Sequence, residues 1–234
     1  MGKAFTGYHQ IKGFINDETE AVQQNLDVPV LRYAEILLTY AEARAELGNL
    51  TQGDLDITVN LLRDRVGMTH MPVAPPLDPV QSAKYPTITS SQKAALLEIR
   101  RERRVEMALE GYRFDDVMRW NAGKLLEKEA EGIYFSGLGK HDITGDGVGD
   151  IILLPYAESI PADKEKNELG VEYRYTRTGV IGQQDAGVFL KNGTSGTIQT
   201  TADIGTFQEP KYYYRPVPQA QVQLNPNLKQ IFGW

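Results

Sequence analysis

The sequence predicts a mainly α fold, in which helical hairpins over residues 29–129 precede an irregular, loop-rich segment over residues 130–234 that carries short β-strands. Apolar residues recur every three or four positions in the first half, as they do on the buried face of a helix. Beyond about residue 132, glycine and proline become more frequent and this helical periodicity disappears. We interpret the whole chain, residues 1–234, as one domain.

The first predicted helix begins near Pro29, because proline suits the first turn of a helix. It ends at Gly48, since glycine commonly terminates helices. A seam of mostly small residues runs along it, which favours close packing against a neighbouring helix. The seam consists of Leu31, Ala34, Leu38, Ala41 and Ala45.

A second helix is predicted to begin at Thr51 and to end at Gly67. Thr51 and Asp54 have the spacing of a capping box, with aspartate in the usual place of glutamate or glutamine. The pair of helices resembles a tetratricopeptide-type hairpin. Because such arrays usually need at least three repeats for stability, one hairpin would need further helices to pack against.

Residues 68–89 hold five prolines and no periodicity, so they are predicted to form a long loop. Ser90 or Ser91 is expected to cap the helix that follows. Short β-like runs then occur in the second half, at 151–154, 171–175, 188–190 and 212–214.

The segment over residues 99–120 contains six arginines and five carboxylates among apolar residues. Gly111 divides it into two predicted helices, at about 90–110 and 112–129. Arginine and carboxylate side chains three or four residues apart can pair on a helix, as Arg103 and Glu106 could. We therefore predict a partly buried network of ion pairs that holds the two helices together.

The composition excludes several functional classes. A net charge of −6 argues against nucleic acid, which requires a basic surface. The absence of cysteine excludes disulfides and thiol chemistry in this chain. The longest strongly apolar run, Ile151–Leu154, is too short to cross a bilayer, so we expect a soluble acidic chain.

Three segments together resemble the SusD/RagB family of outer-membrane nutrient-binding lipoproteins. They are LRYAEILLTYAEARAELG at 31–48, IRRERRVEMALEGYRFDDVMRW at 99–120, and YRPVPQAQVQLNPNLKQIFGW at 214–234. The segments follow the family order, and the family sequence is about twice as long as this chain. The resemblance implies that this chain is the C-terminal part of a family domain.

The resemblance also implies a function. It implies non-catalytic capture of an oligosaccharide, a peptide or another nutrient for delivery to a SusC-type TonB-dependent transporter. The expected location is the extracellular face of the outer membrane of a Gram-negative bacterium of the Bacteroidota type. A lipid anchor would be attached outside this chain, which has no cysteine to carry it.

Two other functional classes remain open. The chain could be a helical protein–protein scaffold without a ligand of its own. It could also be a glycoside hydrolase, which requires two carboxyl groups roughly 5–9.5 Å apart. The visible candidates are the pairs Asp115/Asp116 and Glu106/Glu110. Arg103, Arg104, Arg113 and Arg119 are all within reach and would keep these groups ionised, so we predict that the chain is not an enzyme.

Aromatic residues are better candidates for ligand binding, because sugars stack their C–H faces on aromatic rings. The chain has twelve tyrosines, most of which are expected to lie in the core. A tyrosine that binds ligand should be exposed and bordered by amide or acidic side chains. The candidates are Tyr85, Tyr134 and Tyr156.

The loop DITGDGVGD at 142–150 resembles the first half of a calcium-binding loop. Oxygen-bearing side chains occupy relative positions 1, 3, 5 and 9, which are Asp142, Thr144, Asp146 and Asp150. Position 12, where a calcium loop has glutamate, is Leu153. We predict a structural Ca²⁺ site, with a plain Asp/Gly turn as the alternative.

Overall fold

The computed structural model describes residues 6–8, 12, 29–231 and 233–234. Contacts divide the chain into two compact units. The helical unit comprises Ile15–Glu127 and Thr206–Trp234, and the β-containing unit comprises Met1–Phe14 and Lys128–Gly205, each in its described residues. Helix accounts for 33% of the structure and strand for 13%, so helix predominates as predicted. The interpretation as a single domain stays a prediction.

The helical unit contains seven α-helices and two short 3-10 helices among the described residues. The α-helices are α1 (Tyr33–Glu46), α2 (Gln52–Asp56), α3 (Val59–Arg65), α4 (Pro79–Lys84), α5 (Lys93–Glu106), α6 (Tyr112–Arg119) and α7 (Gln219–Leu224). The 3-10 helices are Gly123–Glu127 and Lys211–Tyr213. Among the helices that the structure describes, none combines the length and the apolarity that crossing a membrane requires.

Helix α1 begins at Tyr33 rather than near Pro29, with Arg32 at the N-cap position. Val30 is 93% exposed and Leu31 is 63% exposed. An additional turn would therefore bury nothing, and most helical stability comes from the burial of one face. The rest of the predicted seam is buried as expected: Ala34, Leu38, Ala41 and Ala45.

The predicted second helix is two helices. Its capping box is confirmed, because Thr51 accepts a hydrogen bond from the Asp54 N–H (3.1 Å) and Asp54 accepts one from the Thr51 N–H (2.8 Å). The break follows at Ile57 and Thr58. The Thr58 hydroxyl donates to the Asp54 carbonyl at 2.5 Å. A threonine side chain that bonds the preceding turn competes with regular helix, which accounts for the division.

Two predictions for residues 68–91 were wrong. The segment is not a continuous loop, because α4 lies within it and Asp78 caps α4 by accepting from the N–H groups of Val80 (2.8 Å) and Gln81 (3.1 Å). The N-cap of α5 is Gln92, not a serine. The Ser90 hydroxyl instead donates to the carbonyl of Ala45, at the end of α1 (2.5 Å).

The core of the helical unit lies between α1 and α5, which contact each other along their length. Alanines on α1 bring its backbone close to α5, and the leucine, isoleucine and methionine side chains fill the remaining space. The cluster consists of Ala34, Leu38, Ala41, Ala45, Leu50, Leu55, Val59, Met71, Ala95, Leu96, Ile99 and Met107.

The β-containing unit holds two small sheets. In the first, β1 (Glu131–Phe135) pairs antiparallel with β6 (Gly196–Gln199). The second has the order β2-β3-β4-β5, formed by Gly139–His141, Ile151–Leu154, Arg174–Gly179 and Val188–Phe189. β2 and β3 are antiparallel, whereas β3–β4 and β4–β5 are parallel.

The predicted strands were confirmed in part. Ile151–Leu154 is a strand, and all four of its residues are buried, as a continuous apolar run suggests. The run at 171–175 becomes a strand only from Arg174, and that at 188–190 ends at Phe189. The run at 212–214 is not a strand. Residues 211–213 form a 3-10 turn, in which the Tyr213 N–H donates to the Pro210 carbonyl (3.2 Å).

The segment Thr6–Tyr8 lies against β1. The Ile133 N–H donates to the Thr6 carbonyl at 2.9 Å. Neighbouring Gly132 allows this approach, because a Cβ at that position would lie 2.2 Å from the Thr6 carbonyl oxygen. This contact holds Tyr8 beside the exposed face of β1.

Candidate functional site

Glu42 on α1 is a buried carboxylate that joins α1 to the end of α6. Its side chain is 4% exposed. The Arg119 guanidinium donates to both of its oxygens, at 2.7 and 2.6 Å, and the indole N–H of Trp120 also donates to it. Arg100 on α5 lies 3.9 Å from the same carboxylate. Residues of two predicted motifs therefore meet at one charged group.

Trp120 is surrounded by cations and by one further aromatic ring. The guanidinium carbons of Arg100, Arg119 and Arg113 lie 4.7, 4.8 and 5.8 Å from its ring centroid. Tyr85 contacts it edge to face, with the ring centroids 5.8 Å apart. Two nitrogens of buried Arg100 have no hydrogen-bond partner among the described residues, which costs free energy. Cation–π contacts are stronger in a desolvated site, so the contact with Trp120 helps to offset that cost.

The predicted ion-pair network is present, but its pairing differs from the prediction. Arg103 does not pair with Glu106; its Nε donates to both oxygens of Asp116, at 2.9 Å each. Glu106 pairs with Arg32 at 2.9 Å and with Arg65 at 2.7 Å. Most of these ion pairs join side chains of different helices. The helices lie close enough for this because their apolar faces pack together.

Three of the four carboxylates considered for a hydrolase, Glu106, Glu110 and Asp116, pair with arginines. Asp115 is exposed, and the described residues provide no arginine partner for it. Glu110 accepts two hydrogen bonds from Arg32, at 2.8 and 2.7 Å, and this pairing raises the pKa of Arg32. Asp116 accepts from Arg103 and from Arg119. A carboxylate that accepts from an arginine is engaged in a structural contact and is not positioned to donate a proton to a bound substrate.

Tyr85 is 5% exposed and packs in a cluster with Leu97, Trp120 and Ala122. The Arg100 guanidinium lies 5.1 Å from its ring centroid. Tyr85 therefore does not meet the exposure that we required of a tyrosine that stacks on a ligand. It contributes to the core beside the arginine network.

Tyr134 is 66% exposed on β1 and lines a shallow hollow of about 220 Å³. Tyr8, which is 62% exposed, lines the same hollow. The full lining is Tyr8, Ile133, Tyr134, Phe135, His141, Asp142 and Ile143. The hollow combines two exposed rings with an acidic side chain at its edge, which is the arrangement expected for a sugar.

His141 supports the floor of this hollow and was not among the predicted site residues. Its ring packs edge to face on buried Phe135, with centroids 4.9 Å apart. Its Nε2 lies 2.8 Å from the Gly137 carbonyl, and because a carbonyl only accepts, Nε2 carries the proton. Only the pairing of β2 with β3 brings His141 to this position, and no local sequence signal indicates it.

Tyr156 follows β3 and is half-buried. The Arg177 guanidinium lies 5.3 Å from its ring centroid and covers one face. Tyr156 does not line the hollow that contains Tyr134. The structure thus joins Tyr134 to Tyr8 rather than to the other two candidates, whose roles in binding stay predictions.

The loop 142–150 is closed by its own hydrogen bonds. Asp142 accepts from the N–H groups of Gly145 (2.6 Å) and Gly147 (2.7 Å), and these bonds lower its pKa. Asp150 accepts from the N–H groups of Ile143 (2.8 Å) and Thr144 (3.0 Å), with the same effect on its pKa. Both carboxylates serve the turn itself.

This donor set does not fit a preformed calcium cage. Thr144 Oγ1 lies 3.3 Å from Asp142 and 3.2 Å from Asp150, but Asp146 accepts from the Val148 N–H (2.9 Å). Within the described residues, no group of three or more acidic, histidine or cysteine side chains could hold a metal ion. Calcium binding at this loop therefore stays a prediction from the sequence alone.

A second, apolar hollow of about 330 Å³ lies in the helical unit. It is lined by Phe114, Leu126, Phe207, Tyr212, Tyr214, Arg215, Pro216 and Trp234. Beneath it, the Tyr213 hydroxyl accepts from the Gly123 N–H (2.8 Å) and donates to Glu209 (2.6 Å), and burial raises the pKa of Tyr213 to about 12. The C-terminal motif is visible in the sequence, but it does not by itself indicate a binding site.

The chain matches a known protein family and a solved structure. The model of the SusD family matches residues 1–234. A matching solved structure is a SusD-like protein from Bacteroides fragilis NCTC 9343, with 25% sequence identity and a TM-score of 0.47. The match covers 87% of this chain and 25% of that protein, so the chain spans a quarter of its length. No match was found among curated protein sequences.

Proposed function

The chain belongs to the SusD family, as its three motifs predicted, and we propose that it forms part of a protein that captures a nutrient at the cell surface. The nutrient is an oligosaccharide or, less in keeping with the site, a peptide. The captured molecule passes unchanged to a SusC-type TonB-dependent transporter in the outer membrane. The tetratricopeptide-like hairpin of α1–α3 serves as the scaffold.

The hollow formed by Tyr8 and Tyr134 is the observation that carries this proposal. Two neighbouring rings, 62% and 66% exposed, line one hollow and leave aromatic surface on which a sugar could stack. Asp142 at the edge offers a hydrogen-bond acceptor for sugar hydroxyls. Carbohydrate sites combine an aromatic surface with such polar groups.

The size of the hollow suggests that it forms one wall of a larger site. Its volume of about 220 Å³ is below the ~300–1,000 Å³ that is typical of pockets that enclose a ligand. It can therefore hold one sugar unit, while the rest of an oligosaccharide lies outside. We expect weak binding by this chain alone.

Capture without chemical change is supported by the state of the acidic residues. Glu106, Glu110 and Asp116 all accept from arginines. Asp142 accepts two backbone N–H groups, which keeps its pKa below the ordinary range. The lowered pKa makes Asp142 unsuited to donate a proton to a leaving group, and the other three carboxylates are occupied by their arginine partners.

Calorimetry against a panel of oligosaccharides and peptides tests the proposal. We expect saturable binding of a saccharide that Tyr134→Ala weakens by about 0.5–1.5 kcal/mol, the usual contribution of a stacked ring. Tyr33→Ala is the matched control, since Tyr33 is 69% exposed on α1 and lies in the helical unit. Equal affinities in the two variants, or shortened saccharides in chromatography of the mixture, would contradict the proposal.

A helical scaffold that binds only protein is the second candidate. The apolar hollow of about 330 Å³ in the helical unit favours it, because Phe114, Tyr214 and Trp234 leave aromatic surface exposed there. Exposed apolar patches often mark protein interfaces. This candidate predicts no saccharide response in the same calorimetric panel.

A further inference from the structure

Two arginines, one in α5 and one in α6, have no carboxylate partner among the described residues. Residues 29–120, which the structure describes without a gap, contain ten arginines. Eight have a carboxylate within 4 Å, namely Arg32, Arg44, Arg63, Arg65, Arg100, Arg101, Arg103 and Arg119. Arg104 and Arg113 are the two for which the described residues provide no carboxylate partner.

These two arginines line the same hollow, where α5 ends and α6 begins. Its volume is about 230 Å³. It is lined by Arg103, Arg104, Met107, Ala108, Leu109, Tyr112, Arg113 and Asp116. Among the described residues of this lining, Asp116 is the only acidic one, and its charge is already balanced by Arg103 and Arg119. The described lining therefore has an excess of positive charge, in a chain whose net charge is −6.

Arg113 has an unused hydrogen-bond donor at this place. Its Nη1 is buried and has no hydrogen-bond partner among the described residues. Contact with the Trp120 ring at 5.8 Å holds the guanidinium in position but does not satisfy that N–H. A buried donor without an acceptor is unfavourable, and the cost is removed when an acceptor binds.

The start of α6 adds further donors beside the hollow. Gly111 occupies its N-cap with φ +88°, and no side chain among the described residues caps the helix. The first N–H groups of a helix have no partner within the helix, and they carry the positive end of its dipole. Gly111 is the residue that permits this turn, since the left-handed conformation is strained for other residues.

We propose that this hollow binds a sulfate or phosphate group. Two arginines of the described lining lack a described carboxylate partner, one of them has a buried N–H without a described acceptor, and the helix start beside them has no described cap. This part of the molecule therefore has more hydrogen-bond donors than acceptors among the described residues. A tetrahedral oxyanion accepts from several directions at once, and arginine pairs with it through two parallel hydrogen bonds. The site lies in the helical unit and does not depend on saccharide binding at Tyr134.

Thermal unfolding and calorimetry with inorganic sulfate and inorganic phosphate test this site, with chloride at equal ionic strength as the reference. We expect both oxyanions to raise Tm above the chloride value, because a ligand that binds only the folded state stabilises it. Arg113→Gln and Arg104→Gln should each weaken binding at least about tenfold, the effect of one lost charged hydrogen bond. The exposed Arg104 provides the test if Arg113→Gln fails to fold.

Arg101→Gln is the matched control, since it removes the same charge from α5, the helix of Arg104, but the Arg101 side chain pairs with Glu98. The proposed site is supported if this control binds the oxyanion with unchanged affinity while Arg113→Gln and Arg104→Gln bind it more weakly. Equal losses in all three variants, or the same Tm in sulfate, phosphate and chloride, would overturn it. Glucose 6-sulfate and glucose 6-phosphate, each compared with glucose, distinguish a sulfated from a phosphorylated ligand.

Discussion

The indole N–H of Trp120 donates a hydrogen bond to Oε1 of Glu42, 78 residues earlier in the chain. Glu42 belongs to the first motif of the sequence and Trp120 ends the second. The bond is buried, with Trp120 4% and Glu42 3% exposed. A contact between two family motifs thus fixes the end of α6 against the middle of α1.

Glu42→Ala should lower the free energy of unfolding by about 3–5 kcal/mol, because removal of one partner leaves buried charge uncompensated. Arg119 and Trp120 lose their acceptor, and Arg100 loses the carboxylate that lies 3.9 Å from its Nε. Asp64→Ala is the control, since Asp64 pairs with His70 and both side chains are more than half exposed. Urea denaturation of both variants gives the comparison, and equal losses would contradict the central role of Glu42.

Asp116→Ala should also lower the free energy of unfolding by about 3–5 kcal/mol. The substitution leaves Arg103 without its carboxylate partner, and the Arg103 side chain is only 6% exposed. Asp115→Ala removes the same group from the adjacent, exposed position and should change the free energy of unfolding by less than about 0.5 kcal/mol. Thermal denaturation separates the two. A change in Tm near zero for Asp116→Ala would show that the ion pairs are solvated and contribute little to stability.

The capping box at the start of α2 predicts a pH dependence. Hydrogen bonds from Thr51 and Tyr40 lower the pKa of Asp54 to about 2, compared with about 3.9 in an unfolded chain. A lowered pKa means that the carboxylate stabilises the folded state fully above pH ~4 and less as the pH falls towards 2. The difference in Tm between the native chain and Asp54→Asn should therefore shrink across this range.

Two variants check the assignment of that pH dependence to the cap. Thr51→Ala should cost about 1 kcal/mol at neutral pH, as the loss of an N-cap side chain usually does. Asp163→Asn, at an exposed position outside the helices, should leave the pH profile unchanged. A profile for Asp54→Asn that runs parallel to the native one from pH 5 to 2 would contradict the role of Asp54.

The loop at 142–150 should be ordered by its own hydrogen bonds. Asp142→Ala should lower Tm equally with and without calcium, because Asp142 accepts two backbone N–H groups. Asp146→Ala should have a smaller effect, since Asp146 accepts one. A rise in Tm with calcium that Asp146→Ala abolishes would instead support the sequence-based calcium site.

The sequence predicted the helical elements well where a motif had a local physical basis. The Thr51–Asp54 capping box and the apolar run of β3 depend on residues near each other in the chain, and both were confirmed. Gly111 divides α5 from α6 as its position suggested. The Asp78 cap of α4 follows the same rules, but the surrounding prolines concealed it.

The ion pairs and the candidate site could not be derived in the same way. Whether Arg103 pairs with Glu106 or with Asp116 depends on which side chains the packed helices bring together. The burial of Tyr85 follows from the position of Trp120, and the hollow at Tyr134 depends on Thr6–Tyr8 lying against β1. The Arg103–Asp116 contact spans 13 residues and the other contacts span more, and local spacing does not encode them.

The shared carboxylate of Glu42 has a consequence for recombining related chains. A chimeric protein could take α1 from one homologue and α5–α6 from another. It would then combine the residue at position 42 from one protein with the residues at positions 119 and 120 from the other. Such a hybrid should fold only if the glutamate on α1 and the arginine–tryptophan pair after α6 are exchanged together. The two segments would thus have to be exchanged as one unit, although Glu42 and Arg119 are 77 residues apart in the chain.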